Sequence, residues 1–173
     1  FQSKEWCMRI INSRSTETIP WPSRPGTVLP DHPCSLFAQT LNTSTGIRAV
    51  HVLWEDHPEN ETTGQALLLV SIGDSMNYYP KTLHGGMVAA LADGMYNHSF
   101  SRQLWLDTLT AKINLVLRGR VETPGVCLVR EWADDEKAKK QGKEWTEMRK
   151  LWGRATIEDR DGHTLVEAHY MFI

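Results

Sequence analysis

The sequence predicts an α+β fold in which an antiparallel sheet packs on one central helix, and three observations carry that prediction. Only residues 85–98, Gly-Gly-Met-Val-Ala-Ala-Leu-Ala-Asp-Gly-Met-Tyr-Asn-His, read strongly as helix. The segments after it, 110–117, 126–133, 145–158 and 164–173, read as strands, and helix followed by strands is the segregated pattern of α+β architecture. The third is bulk: 173 residues, 40% apolar and with seven tryptophans, supply one domain with an ample core and are too few for two.

Residues 1–45 are expected as an N-terminal helix and Pro-rich extension packing on a domain of residues 46–173. Ser3 can cap a short helix that sets Trp6, Ile10 and Ile11 on one stripe. Five prolines follow between 19 and 33 (Pro20, Pro22, Pro25, Pro30 and Pro33); each fixes φ and removes a donor, so the stretch should run as extended loop. Residues 35–41 suit a short helix, 47–54 a strand, 55–64 a polar turn, 66–72 a centrally buried strand and 73–83 a loop. The helix from 85 to 98 is apolar almost all round, the signature of an enclosed helix. In 110–117 strict alternation puts Thr110, Lys112 and Asn114 on one face and Ala111, Ile113, Leu115 and Leu117 on the other. Asp161-Gly162 is a favoured hairpin pair joining the last two strands. The charged run 134–143 reads as a solvated hairpin tip.

Composition excludes several function classes. A net charge of −2 leaves no broad basic surface for a phosphate backbone, so nucleic acid is not an expected partner. The longest apolar stretch, 66–72, falls far short of the ~20 residues that span a bilayer, so no membrane span is expected. Cys7, Cys34 and Cys127 form no C-x-x-C pair and signal neither a disulfide framework nor a zinc site; they suit a reducing, cytoplasmic compartment.

Two constellations invite a chemical reading. Gly73-Asp74-Ser75 after an apolar run mimics the nucleophile turn of a serine esterase, but the base and acid that chemistry requires have only Asp161-Gly162-His163 to offer, at the wrong spacing and in a hairpin turn. The second is His84-Gly85-Gly86 opening the helix, with Asp93 nine residues beyond the histidine. Adjacent glycines admit close approach, and the unpaired N–H groups of a first helical turn point outward at the positive end of the dipole, which is an oxyanion hole in kind. A carboxylate in an apolar helical face costs several kcal/mol unless paired, so Asp93 needs either hydrogen-bond partners or a function. On the residues alone, Asp93 bonding a neighbouring loop or Asn97, and His84 acting as a cap or core residue, stand beside the functional reading.

The run from Leu83 to Asp93, then Thr110-Ala-Lys-Ile-Asn-Leu115, Val121-Glu-Thr-Pro-Gly125 and Asp161-Gly-His-Thr-Leu-Val-Glu-Ala168, resembles the hotdog-fold acyl thioesterases, in the branch that holds human thioesterase superfamily members and many fungal relatives. With Trp6-Cys7 and the segment from Ser35 to Thr43, the likeness covers nearly the whole chain. It implies a long central helix wrapped by an antiparallel sheet, a homodimer or dimer of dimers with sites between subunits, and no metal or other cofactor. It implies an acyl-CoA or acyl carrier protein thioester as substrate, with a polyketide-type chain of secondary metabolism as one expectation. It also implies roles: Asp93 activates water or attacks the carbonyl, Gly85 and Gly86 hold the carbonyl oxygen, Thr110 assists the carboxylate, usually from the partner subunit, and His84 borders the site. Met87 on the same helix would line the acyl pocket.

Three positions depart from the pattern. Tyr78 stands where some relatives carry an Asn, with Asn77 the nearest substitute. Lys112 replaces a common Asn and would add charge beside the site, and the 134–143 segment is longer than usual. A hotdog hydratase, dehydratase or release cyclase, and a non-catalytic acyl-binding module, are the rival expectations, because a fold alone does not select its chemistry.

Overall fold

The computed structural model describes residues 1–19, 36–57, 60–95 and 109–173. Its frame is a seven-stranded, wholly antiparallel sheet of β1 (Glu17–Ile19), β2 (Ile47–His57), β3 (Asn60–Ile72), β6 (Thr110–Leu117), β7 (Gly125–Ala133), β8 (Leu151–Glu158) and β9 (Thr164–Phe172). The spatial order is β1-β2-β3-β7-β8-β9-β6. A small ribbon of β4 (Asn77–Tyr79) and β5 (Thr82–Leu83) stands apart from it. The predicted α+β class with a large antiparallel sheet is the architecture observed.

The sheet is covered on two faces. On one, α2 (Gly85–Met95) packs against β6 and β8, and Val88 and Leu91 join Val52, Leu68, Val70, Val129, Ile157 and Val166 in the main core. On the other, α1 (Glu5–Ile11) seats Cys7, Trp6, Ile10 and Ile11 on Leu53, Leu67, Leu69 and Leu128. β3 therefore buries both faces, which explains its unbroken apolar run: a strand covered on one side alternates, and one covered on both does not. The expected stripe on α1 is present, although Lys4, not Ser3, occupies the cap position and no side chain bonds there.

Several elements differ from the sequence expectation. Residues 55–57 and 60–64 continue β2 and β3 instead of forming a long polar turn, because backbone pairing across the hairpin, such as Glu55 with Gln65, outweighs the turn preference of a polar sequence. Residues 36–40 form a single π-helical turn. The strand expected from 145 begins only at Leu151; Trp145–Glu147 is a 3₁₀ turn whose Trp145 is buried. The charged run is not a bare tip. It folds into α3 (Glu136–Lys140), with Ala138 buried, and Arg154 of β8 anchors it through Asp134 at 2.9 Å and Glu136 at 3.1 Å. The hairpin at Asp161-Gly162 is as expected, with Gly162 at φ +83°. The Pro-rich segment 20–35, Cys34 and the end of the central helix beyond 95 lie outside the described residues. No helix among the described residues is long and apolar enough to cross a membrane.

Candidate functional site

The start of α2 is fixed from outside the helix. His84 N–H donates to the Met76 carbonyl at 2.9 Å and Leu83 N–H to the Val121 carbonyl at 3.0 Å, so the β4–β5 ribbon and the loop before β7 hold the entry in place. Within the first turn, the Met87 and Val88 N–H groups both donate to the His84 carbonyl. Gly86 N–H donates to His84 Nδ1 at 2.9 Å. That bond makes Nδ1 an acceptor, which puts the ring proton on Nε2, and it removes Gly86 from the set of available donors. No described residue accepts from Gly85 N–H. The structure thus separates two glycines that the sequence treats together: Gly85 presents the open donor of the helix N-terminus, and Gly86 holds His84. The His84 ring also meets Tyr78 edge to face at 5.3 Å, and Tyr78 meets Tyr79 at 4.6 Å. Both tyrosines are exposed.

Two turns further along α2, Asp93 is half-buried. Its Oδ1 accepts a 2.6 Å hydrogen bond from Thr110 Oγ1 at the start of β6. A bulge makes this contact possible. Thr110 pairs with Phe172 and Lys112 with Met171, leaving Ala111 as the extra residue. Thr110 therefore lies opposite the inward Phe172, on the α2 side with Ile113 and Leu115, while Lys112 and Asn114 are shifted to the other face, opposite Met171 and His169. This corrects the expectation that Thr110, Lys112 and Asn114 share a face: strict period-two alternation fails where one residue is unpaired. Lys112 is exposed on the side away from Asp93. A second correction concerns chains. Thr110 is expected opposite Asp93 from a partner subunit, whereas the two meet within one chain.

The remaining predicted residues separate. Asn77 Oδ1 accepts a short hydrogen bond from Thr123 Oγ1, tying the β4 ribbon to the loop before β7. Met87 is half-buried and packs against the main core. Ser75 Oγ donates to the Thr45 carbonyl at 2.8 Å, a turn contact, and Asp161 and His163 lie in an exposed hairpin where His163 Nδ1 faces Asp159, so among the described residues these three make no esterase triad. Asp159, Asp161 and His163 bring possible ligand atoms within 4.8 Å of one another. Asp159 Oδ1 there accepts from the backbone N–H groups of Asp161 and His163, both at 2.9 Å, and its Oδ2 lies 3.1 Å from His163 Nδ1.

Sequence reasoning misses one residue. Glu131 of β7 is 0% exposed, and neither oxygen of its carboxyl has a hydrogen-bond partner among the described residues. Burial, reinforced by the nearby negative charge of Asp93, pushes its ionisation well above the usual carboxylate range. Cys127, Val129 and Ala133 are buried on the same side, so an acid at an inward position of an alternating strand is the available signal. It is obscured because Val126, Leu128 and Trp132 make the opposite phase equally apolar.

No family model matches this chain, and no curated protein is similar to it in sequence at a significant level. Solved structures do match. A thioesterase superfamily protein, RHA08564, superposes with a TM-score of 0.55 at 16% identity, covering 70% of this chain and 55% of that one. A hypothetical thioesterase from Streptococcus pneumoniae TIGR4, solved with coenzyme A, gives 0.54 at 16% identity over 73% of this chain and 85% of that one. Zebra fish thioesterase superfamily member 2 gives 0.54 at 14% over 70% and 78%. This chain therefore spans little more than half of the first of these proteins and most of the other two. The α+β architecture expected from the sequence is the hotdog fold, and the solved structures that share it here are thioesterase superfamily proteins.

Proposed function

We propose that the protein hydrolyses an acyl thioester, with coenzyme A as the favoured carrier and an acyl carrier protein as the alternative, and that it does so as a homodimer or dimer of dimers. The observation that carries the reading is the Asp93–Thr110 pair at 2.6 Å, set on the same helix as the open Gly85 donor. Thr110 orients the carboxylate. Asp93 then takes a proton from water, whose oxygen bonds to the thioester carbonyl carbon; the carbonyl oxygen gathers negative charge and is held by Gly85 N–H. Collapse breaks the C–S bond, and the thiolate leaves with the proton from Asp93. Donors placed where such charge develops typically contribute about 3 to 4 kcal/mol each. A neighbour of the same fold solved with coenzyme A supports this carrier.

Helix geometry argues for two copies. Gly85 and Asp93 are eight residues apart, about 12 Å along the axis at 1.5 Å per residue, too far to flank one carbonyl. The complete site would combine Gly85 of one chain with Asp93 and Thr110 of another. Two features support an available surface: β6 ends the sheet with Val116 and Leu117 exposed, and Met87, Ala89 and Ala90 of α2 are only half-buried, so the described chain does not enclose the helix as its composition predicts.

The test is thiol release from an acyl-CoA panel of varied length, including β-keto chains, by native protein, D93N and G85P, followed by mixing the two variants. Each variant alone should be impaired, and the mixture should regain activity, because one of the two sites in a mixed dimer receives native Gly85 and native Asp93. Failure to regain places the whole site in one chain. No release by native protein from any thioester removes hydrolysis in favour of lyase or binding roles.

A further inference from the structure

Glu131 and Asp93 are neighbouring acids, the first fully buried and the second half-buried, and their surroundings differ sharply. Asp93 has a donor, Thr110. Glu131 has none, although it is fully buried. It stands on β7 between Ala66 of β3 and Ala155 of β8, with Ala168 of β9 beyond, and these small side chains leave room for a longer one on the face that α2 covers. An ionised carboxylate without a donor is strongly disfavoured in such a place, whereas the neutral acid is only a small polar group with one proton to give.

The groups facing it settle the distribution of charge. From α2 comes the carboxylate of Asp93. From β9 comes Tyr170, whose own ionisation is pushed up by burial and then by the two acids. β3 and β8 present alanines at the paired positions, and the Thr110 hydroxyl of β6 is committed to Asp93. The nearby arginines turn to the opposite face: Arg130 pairs there with Glu55 and Glu158, and Arg154 with Asp134 and Glu136. No Lys, Arg or His among the described residues offsets a charge on Glu131.

We propose that Glu131 is the proton-bearing partner of Asp93, the two carboxyls holding one proton and one negative charge between them, with Asp93 carrying the charge against Thr110. The pair is coupled in both directions. The negative charge of Asp93 helps keep the proton on Glu131, and if Glu131 ionises, a second negative charge without a donor is added in the interior behind the base. Glu131 is in this sense a positioning residue that sets the alkaline limit of the site. This functional half rests on the thioesterase reading; the protonated state of Glu131 does not.

Infrared titration of the carboxylic-acid C=O stretch in the full chain tests the pair. The native protein should keep a protonated carboxyl at neutral pH, E131Q should lose that band, and D93N should move its midpoint down by about one pH unit or more, the scale on which two sites count as strongly coupled. A native spectrum without the band overturns the proposal, as does an unmoved midpoint in D93N, and the latter is readable even if E131Q does not fold. In thiol release from acyl-CoA, native protein should show an alkaline limb that E131Q lacks; identical limbs overturn the positioning role. Absence of release from every thioester would sink hydrolysis alone, and the infrared result would still decide the pair.

Discussion

Replacing Thr110 by valine removes one hydroxyl and almost nothing else. Valine keeps the β-branched shape that suits a strand, and the bulge at Ala111 is backbone geometry that does not depend on Oγ1. What disappears is the 2.6 Å bond to Asp93 Oδ1. Hydrogen bonds to charged groups contribute about 1.5 to 3 kcal/mol; Thr110 is exposed, so water competes and the lower figure applies. About 1.5 kcal/mol, if it is lost from the oriented transition state, corresponds to roughly a tenfold fall in kcat/KM, and loss of the same bond from the folded state should lower stability by no more than about 1.5 kcal/mol. The assay is thiol release from acyl-CoA under initial-rate conditions, paired with thermal unfolding, for native protein, T110V and T110S. T110S keeps a hydroxyl and should recover most of the rate. If T110V hydrolyses as fast as native protein, Thr110 does not orient Asp93 and the pairing is incidental. A rate loss accompanied by a large fall in Tm would assign the effect to packing instead.

Further outcomes follow from the same geometry. Proline is favoured at the first helical residue, so G85P should leave Tm nearly unchanged while removing the open N–H and lowering kcat by about 10²- to 10³-fold; a full rate would exclude Gly85 as the oxyanion donor. Glu131 ionises near 4.5 when unfolded and well above that when folded, so the folded state binds the extra proton and native stability is lost as pH rises above about 4.5, at about 1.4 kcal/mol per unit until the folded value is reached. E131Q has no such proton, and its Tm should gain on native protein progressively above that pH; parallel Tm curves against pH would remove the buried acid from the account. A Cβ added at Gly73 would lie 2.1 Å from the Thr45 carbonyl oxygen, so G73A should cost about 1 to 3 kcal/mol in denaturant unfolding, and an unchanged midpoint would show that this turn yields freely.

The residues themselves determined the α+β class, the strongly helical segment opened by His84-Gly85-Gly86, and Asp93 as an acid that must find a partner, because each follows from local spacing and composition. β6 was legible to its ends, yet its facing was not. The bulge at Ala111 is fixed by pairing with β9, a contact between residues some sixty positions apart that no periodicity within 110–117 encodes, and it alone decides that Thr110 reaches Asp93 while Lys112 turns away. The fate of the two glycines was likewise tertiary. His84 Nδ1 takes one N–H and leaves the other open, a choice set by a ring orientation that the order of residues does not express. The folding of 134–143 into α3 depends on Arg154 arriving from β8. Glu131 is the clearest case: in sequence it is one of the acidic residues of a charged chain, and only the sheet, by placing alanines on both sides and α2 above, turns it into a buried acid beside Asp93. Local patterns fix what each segment can become; which side chains share an interior is settled by long-range pairing and burial.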